Sequence, residues 1–104
     1  MAIKLEPFGT QDVLLCPACN ESSYVTVTHV TVYNRKEDAQ TGLVASIDCL
    51  EQTMVTSTDG FLGNPSARRH GLTMTVFCEN CHTKSSLRVA QHKGQTLLDW
   101  TIGQ

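Results

Sequence analysis

Residues 23 to 34, SYVTVTHVTVYN, alternate apolar and polar positions with a period of two and are rich in Val, Thr and Tyr. That is the pattern of a strand with one covered face. The phase slips midway: Val25 and Val27 fall on odd positions, Val30 and Val32 on even ones. A β-bulge near Thr28-His29 accounts for the slip, because one extra residue switches the faces. The same period recurs further on. GLVASIDCL puts Leu43, Ala45, Ile47 and Cys49 on one face, and LTMTVFC does the same for Leu72, Met74, Val76 and Cys78. TMVTST, SLRVAQ and TLLDWTI are shorter candidate strands, and a tight hairpin turn is expected at Lys93-Gly94. Residues 58 to 71, TDGFLGNPSARRHG, interrupt the pattern with glycines, a proline and an asparagine, and read as a long loop. Within it PSARRH has the composition for one helical turn; nothing longer looks helical. The expected fold is mainly β, an antiparallel sheet with little helix, in one domain over residues 1–104.

The unit strand, C-x-x-C, strand occurs twice. VLLC leads through Cys16-Pro17-Ala18-Cys19 into SYVTV, and TMTVFC leads through Cys78-Glu79-Asn80-Cys81 into SSLRV. A two-residue spacer in a turn lets both sulfurs face one ion, and the turn amides can donate to the thiolates. Two such knuckles face to face supply four thiolates, the tetrahedral set that Zn²⁺ prefers. The expected ligands of one structural zinc are therefore Cys16, Cys19, Cys78 and Cys81. Other chemistries share parts of the motif. Cys78-Glu79-Asn80-Cys81-His82 has the haem-attachment spacing, but no helical wrapping or axial ligand accompanies it. A redox dithiol is expected at a helix start, and no helix follows Cys16. Iron takes the same four-thiolate geometry and stays open beside zinc. His82 reads as a knuckle residue outside the metal shell. Cys49, on the face of Leu43 and Ile47, reads as a small buried apolar residue.

The chain of 104 residues has room for a thin core, which a metal would reinforce. Eight Lys and Arg stand against ten Asp and Glu, for a net charge of −2. Four thiolates and one Zn²⁺ add −2 more and give −4, which weighs against general binding to phosphate backbones. The run Arg35-Lys36-Glu37-Asp38 is expected to cancel itself in a solvated turn. MAIKLEPFGTQDVLLC contains no apolar stretch of signal-peptide length, and no later stretch is long enough to span a membrane. The expected compartment is the cytoplasm, where reduced thiols bind metals more often than they form structural disulfides.

With these two knuckles the chain resembles the zinc-ribbon group. The resemblance implies a short hairpin carrying the first, C-P-x-C knuckle and a three-stranded antiparallel meander carrying the second. Asn20 stands where many ribbons have Gly; Asn also tolerates a left-handed backbone. Residues 34–71 are an insert relative to such ribbons, with strands of its own. GNPSARRHG, FCENC and QHKGQT together resemble small bacterial and bacteriophage proteins with paired C-x-x-C, which implies an accessory role on a mobile element.

A closed Cys₄ shell leaves no position for substrate, and no catalytic motif stands out, so a binding module rather than an enzyme is expected. The first functional expectation is contact with a protein through Phe61, Leu62, Arg68 and Arg69 in the long loop. The alternative is nucleic-acid binding along a strip of Arg68, Arg69, His70, Lys84, Arg88 and Lys93, the commonest activity of zinc ribbons.

Overall fold

The computed structural model describes residues 3–103. It is mainly β and antiparallel. A small sheet pairs β1 (Leu5–Phe8) with β2 (Gln11–Leu14). The main sheet has six strands. They are β3 (Val25–Asn34), β4 (Leu43–Asp48), β5 (Thr53–Ser57), β6 (Gly71–Cys78), β7 (Lys84–His92) and β8 (Gln95–Ile102). Their order across the sheet is β5-β4-β3-β6-β7-β8. Strands β4 and β5, from the stretch between the knuckle hairpins, pair outward from β3. They thus continue the sheet whose other half is the β6-β7-β8 meander.

The bulge lies where the phase slip places it. Val27 pairs with Val76 and His29 with Thr75, so Thr28 is the extra residue. Across β6 the partners of Val25, Val27, Val30 and Val32 are Cys78, Val76, Met74 and Leu72. The bulge thereby gathers odd and even valines onto one face. Thr28 is buried, and its hydroxyl donates to the Thr75 carbonyl at 3.3 Å. Its own carbonyl accepts from the Cys49 N–H at 2.8 Å, which ties the end of β4 to the bulge. The Lys93-Gly94 turn also forms as expected. Both residues are left-handed, φ 49° and 82°, the geometry a two-residue hairpin needs.

Three local expectations are corrected. The helical turn found among the described residues is 3₁₀ and lies at Phe61–Gly63, ahead of PSARRH. The 35–38 run does not cancel itself: Glu37 and Asp38 reach across to Arg68 and Arg69. Cys49 is exposed, as are Leu43 and Ile47, while Val44 of the opposite face is buried. Alternation identifies the two faces of a strand but not which one the chain covers. Here the 58–70 loop lies against the face of Val44 and its cross-strand partner Tyr33. A Cβ on Gly63 would come within 2.6 Å of the Tyr33 hydroxyl. Since Cys49 contributes little packing, Cys49→Ala should shift stability by less than about 0.5 kcal/mol and leave metal content unchanged. Thermal denaturation with elemental analysis checks both.

The loop is held by its own polar groups. Asn64 donates to the Arg69 carbonyl at 2.9 Å and accepts from the Ser66 N–H at 3.0 Å. The buried Ser66 hydroxyl donates to the Gln91 carbonyl at 3.0 Å. Gly71 closes the loop where a side chain has no room, because a Cβ there would collide with the Asn64 amide oxygen and the Pro65 ring.

Candidate metal centre

Each knuckle is built by the same two backbone hydrogen bonds. In the first, Cys16 N–H donates to Glu21 O (3.0 Å) and Asn20 N–H to Cys16 O (2.9 Å). In the second, Cys78 N–H donates to Thr83 O (3.2 Å) and His82 N–H to Cys78 O (2.8 Å). Asn20 and His82 occupy equivalent positions, one after the second cysteine, and both are left-handed with φ 63° and 58°. Asn20 thus does what glycine does elsewhere. His82 serves as the matching corner residue; its exposed ring meets Phe77 edge-on at 6.1 Å.

The supports differ. The second knuckle is the turn between β6 and β7 of the main sheet, whereas the first connects the small sheet to β3. The two are pinned together from outside. Glu79 N–H donates to the carbonyl of Tyr24, a left-handed residue (φ 67°) at the entry to β3. Asn80 Nδ2 donates to Cys19 Sγ at 3.4 Å.

The result is a cluster of four sulfurs. Sγ of Cys16, Cys19, Cys78 and Cys81 all lie within 4.8 Å of one another. The contacts between knuckles, Cys16 to Cys81 and Cys19 to Cys78, are both 3.7 Å. Metal–sulfur bonds of about 2.3 Å in a tetrahedron place sulfurs about 3.8 Å apart. The donor set therefore fits one soft, four-coordinate metal ion. Cys16 and Cys78 are buried, Cys19 and Cys81 half-buried, so the site opens to solvent on one side.

The thiols are unequal. Burial pushes Cys16 up to about 11, against backbone donation from the turn. Cys81 is brought down to about 6, chiefly by the Thr83 hydroxyl. At neutral pH Cys81 thus presents a thiolate to an arriving cation, while Cys16 must give up its proton on coordination.

The other expected contact residues lie elsewhere. Phe61 is half-buried under the Arg35 guanidinium, 4.9 Å from the ring centroid, and Leu62 beside it is fully exposed. Arg68 forms a two-pronged pair with Asp38 (2.8 and 2.9 Å) and also reaches Glu37 (2.8 Å), which Arg69 shares at 2.8 Å. Asp38 is held below the usual carboxylate range, first by its hydrogen bond from Arg68. The loop thus brings the four residues into one region, with both arginines turned onto the 37–38 turn. Sequence reasoning missed that partnership, because carboxylates thirty positions away leave no local signal. Arg88 pairs with Asp99 at 3.0 Å. No helix among the described residues is long and apolar enough to cross a membrane.

Comparison with protein-family models, with curated proteins and with solved structures gives no significant match. The likeness to zinc ribbons therefore rests on the paired knuckles themselves, and the likeness to bacterial and bacteriophage proteins gains no support.

Proposed function

We propose that the chain is a zinc-stabilised protein-interaction module of the cytoplasm, without enzymatic activity of its own. One structural Zn²⁺ is held by Cys16, Cys19, Cys78 and Cys81, and the 59–71 loop is the contact surface. The observation that carries the reading is the convergence of four sulfurs at tetrahedral spacing. Four protein thiolates close the coordination shell, which suits a metal that holds structure rather than one that activates water.

The loop has the character of a presented surface. It is long, its backbone is fixed by Asn64 and Ser66, and it offers Leu62 wholly to solvent. A protein partner is favoured over a phosphate backbone by the state of the basic residues. Arg68, Arg69 and Arg88 are already engaged by carboxylates. Lys84 lies at the opposite end of β7 from His92 and the Lys93 turn, roughly 26 Å away at strand rise. The expected strip is thus an extended one, and its middle member, Arg88, is already paired with Asp99.

Affinity capture from the native host with wild-type protein and Leu62→Asp tests the loop. The variant should keep its metal and melting point and lose a captured protein by at least about tenfold. Equal capture by both would remove the loop from the reading. Micromolar binding of purified protein to DNA or RNA in moderate salt, abolished by Arg68→Glu with Arg69→Glu, would replace it with nucleic-acid recognition.

A further inference from the structure

The main sheet carries a two-row apolar face whose outer part nothing in the described chain covers. One row crosses all six strands as Met54, Ile47, Val30, Met74, Leu87 and Trp100. The next row, two residues along each strand, is Thr56, Ala45, Val32, Leu72, Val89 and Leu98. Neither row contains a charged residue, whereas the opposite face bears the Arg88–Asp99 and His29–Asp48 pairs. Trp100 is buried, but Val32 is 40 % exposed, Ile47 42 %, Leu98 55 % and Met54 64 %. With Val27, Leu43 and Ile102, also exposed at its margins, the open area is roughly 600 Å², the upper end for a monomer's largest apolar patch.

We propose that this face is a homodimer interface, in which two copies of the sheet pack face to face into a sandwich. A sheet with one apolar face needs a second layer, and over the outer part of this face the described residues supply none. The area matches: a standard interface takes about 800 Å² from each partner, and roughly 600 Å² of apolar side chain with its polar margin reaches that size. The relief matches itself. The first row holds two methionines, a leucine and an isoleucine, and the second is mostly smaller residues. A two-fold axis lying between the sheets, parallel to the rows, sets each copy's bulky row over the other's small one. The absence of charge means that two identical faces meet without like-charge repulsion, although the whole chain is acidic.

The test is light scattering coupled to size exclusion, on metal-loaded protein loaded from about 1 to 100 µM. Wild type should run as a dimer at the upper concentrations. Val32→Lys and Ile47→Lys place a cation in the centre of the face at partly exposed positions. Each should weaken association at least about 100-fold while far-UV circular dichroism and metal content stay at wild-type values. Val55→Lys is the control. Val55 pairs with Ser46 on the other face of the edge strand β5 and is 69 % exposed. It should leave the dimer intact. A monomer throughout the range overturns the proposal. So does a dimer broken by Val55→Lys and not by Val32→Lys, which would show pairing through the β5 edge. Should one face variant fail to fold, the other carries the comparison.

Discussion

Cys78→Ser should abolish stoichiometric metal binding and lower the melting temperature by more than about 15 °C. Cys78 ends β6, is buried, and faces Cys19 across 3.7 Å. Among the described residues, β1 and β2 pair with each other and not with the main sheet, so the knuckles are what join the N-terminal segment to it. Binding a structural zinc is worth roughly 10–16 kcal/mol in small zinc domains, against a total stability of about 5–15 kcal/mol for an ordinary domain. The apolar core here is thin: among the described residues six apolar ones are buried, two of them Cys16 and Cys78 themselves. Removing one ligand therefore takes away a term as large as the whole margin. Limited proteolysis should cut first within residues 3 to 24, the part that the knuckles anchor. Acid should act in the same direction. Coordination expels thiol protons, so falling pH favours the protonated, metal-free site; with Cys16 at about 11 in the empty site, its proton competes with the metal throughout the neutral and acid range. Metal-dependent stability is present at neutral and alkaline pH and disappears as pH falls. A variant with wild-type melting point and full metal content would remove Cys78 from the ligand set.

Much of the strand pattern and the four-cysteine cluster could be read from the chain, for a common reason. A strand with one apolar face writes its period locally, so the change of phase at Thr28 located the bulge before any pairing was known. A knuckle is local too: its cysteines are three residues apart and its corner residue follows directly, as Asn20 and His82 do. What escaped depends on distant residues. The choice of covered face was set by where the 58–70 loop comes to rest, so Leu43, Ile47 and Cys49 are exposed while Val44 and Tyr33 are buried. The carboxylate partners of Arg68 and Arg69 lie thirty positions earlier, across a turn that by itself looks neutral. Leu5–Phe8 contains too few alternating positions to declare itself a strand; its pairing with Gln11–Leu14 makes it one.

Trp100→Ala should cost about 3–5 kcal/mol, a fall of roughly 15–30 °C in a domain of this size, while metal stoichiometry stays at one per chain. Trp100 is 4 % exposed and is, ahead of Tyr33, the largest side chain among the buried apolar residues described. It pairs with Leu87 on β7, one row from the buried Ser85 and two strands from Val76. Its loss would open a cavity beside the knuckle end of the sheet, where little other apolar mass can move in to fill it. Trp100→Phe is the discriminating companion. The indole Nε1–H is buried without a hydrogen-bond partner among the described residues, so replacing the indole by a phenyl ring removes an unsatisfied donor as well as some volume. The two effects oppose each other, and the expected cost is below about 1.5 kcal/mol. If the alanine variant melted within a few degrees of wild type, Trp100 would not be part of the folding core. If both variants lost metal, the tryptophan would be acting on the knuckles rather than on the packing of β7 against β8. The expected pattern is a large loss for alanine, a small one for phenylalanine and full metal in both, which separates the sheet's own stability from the contribution of the metal.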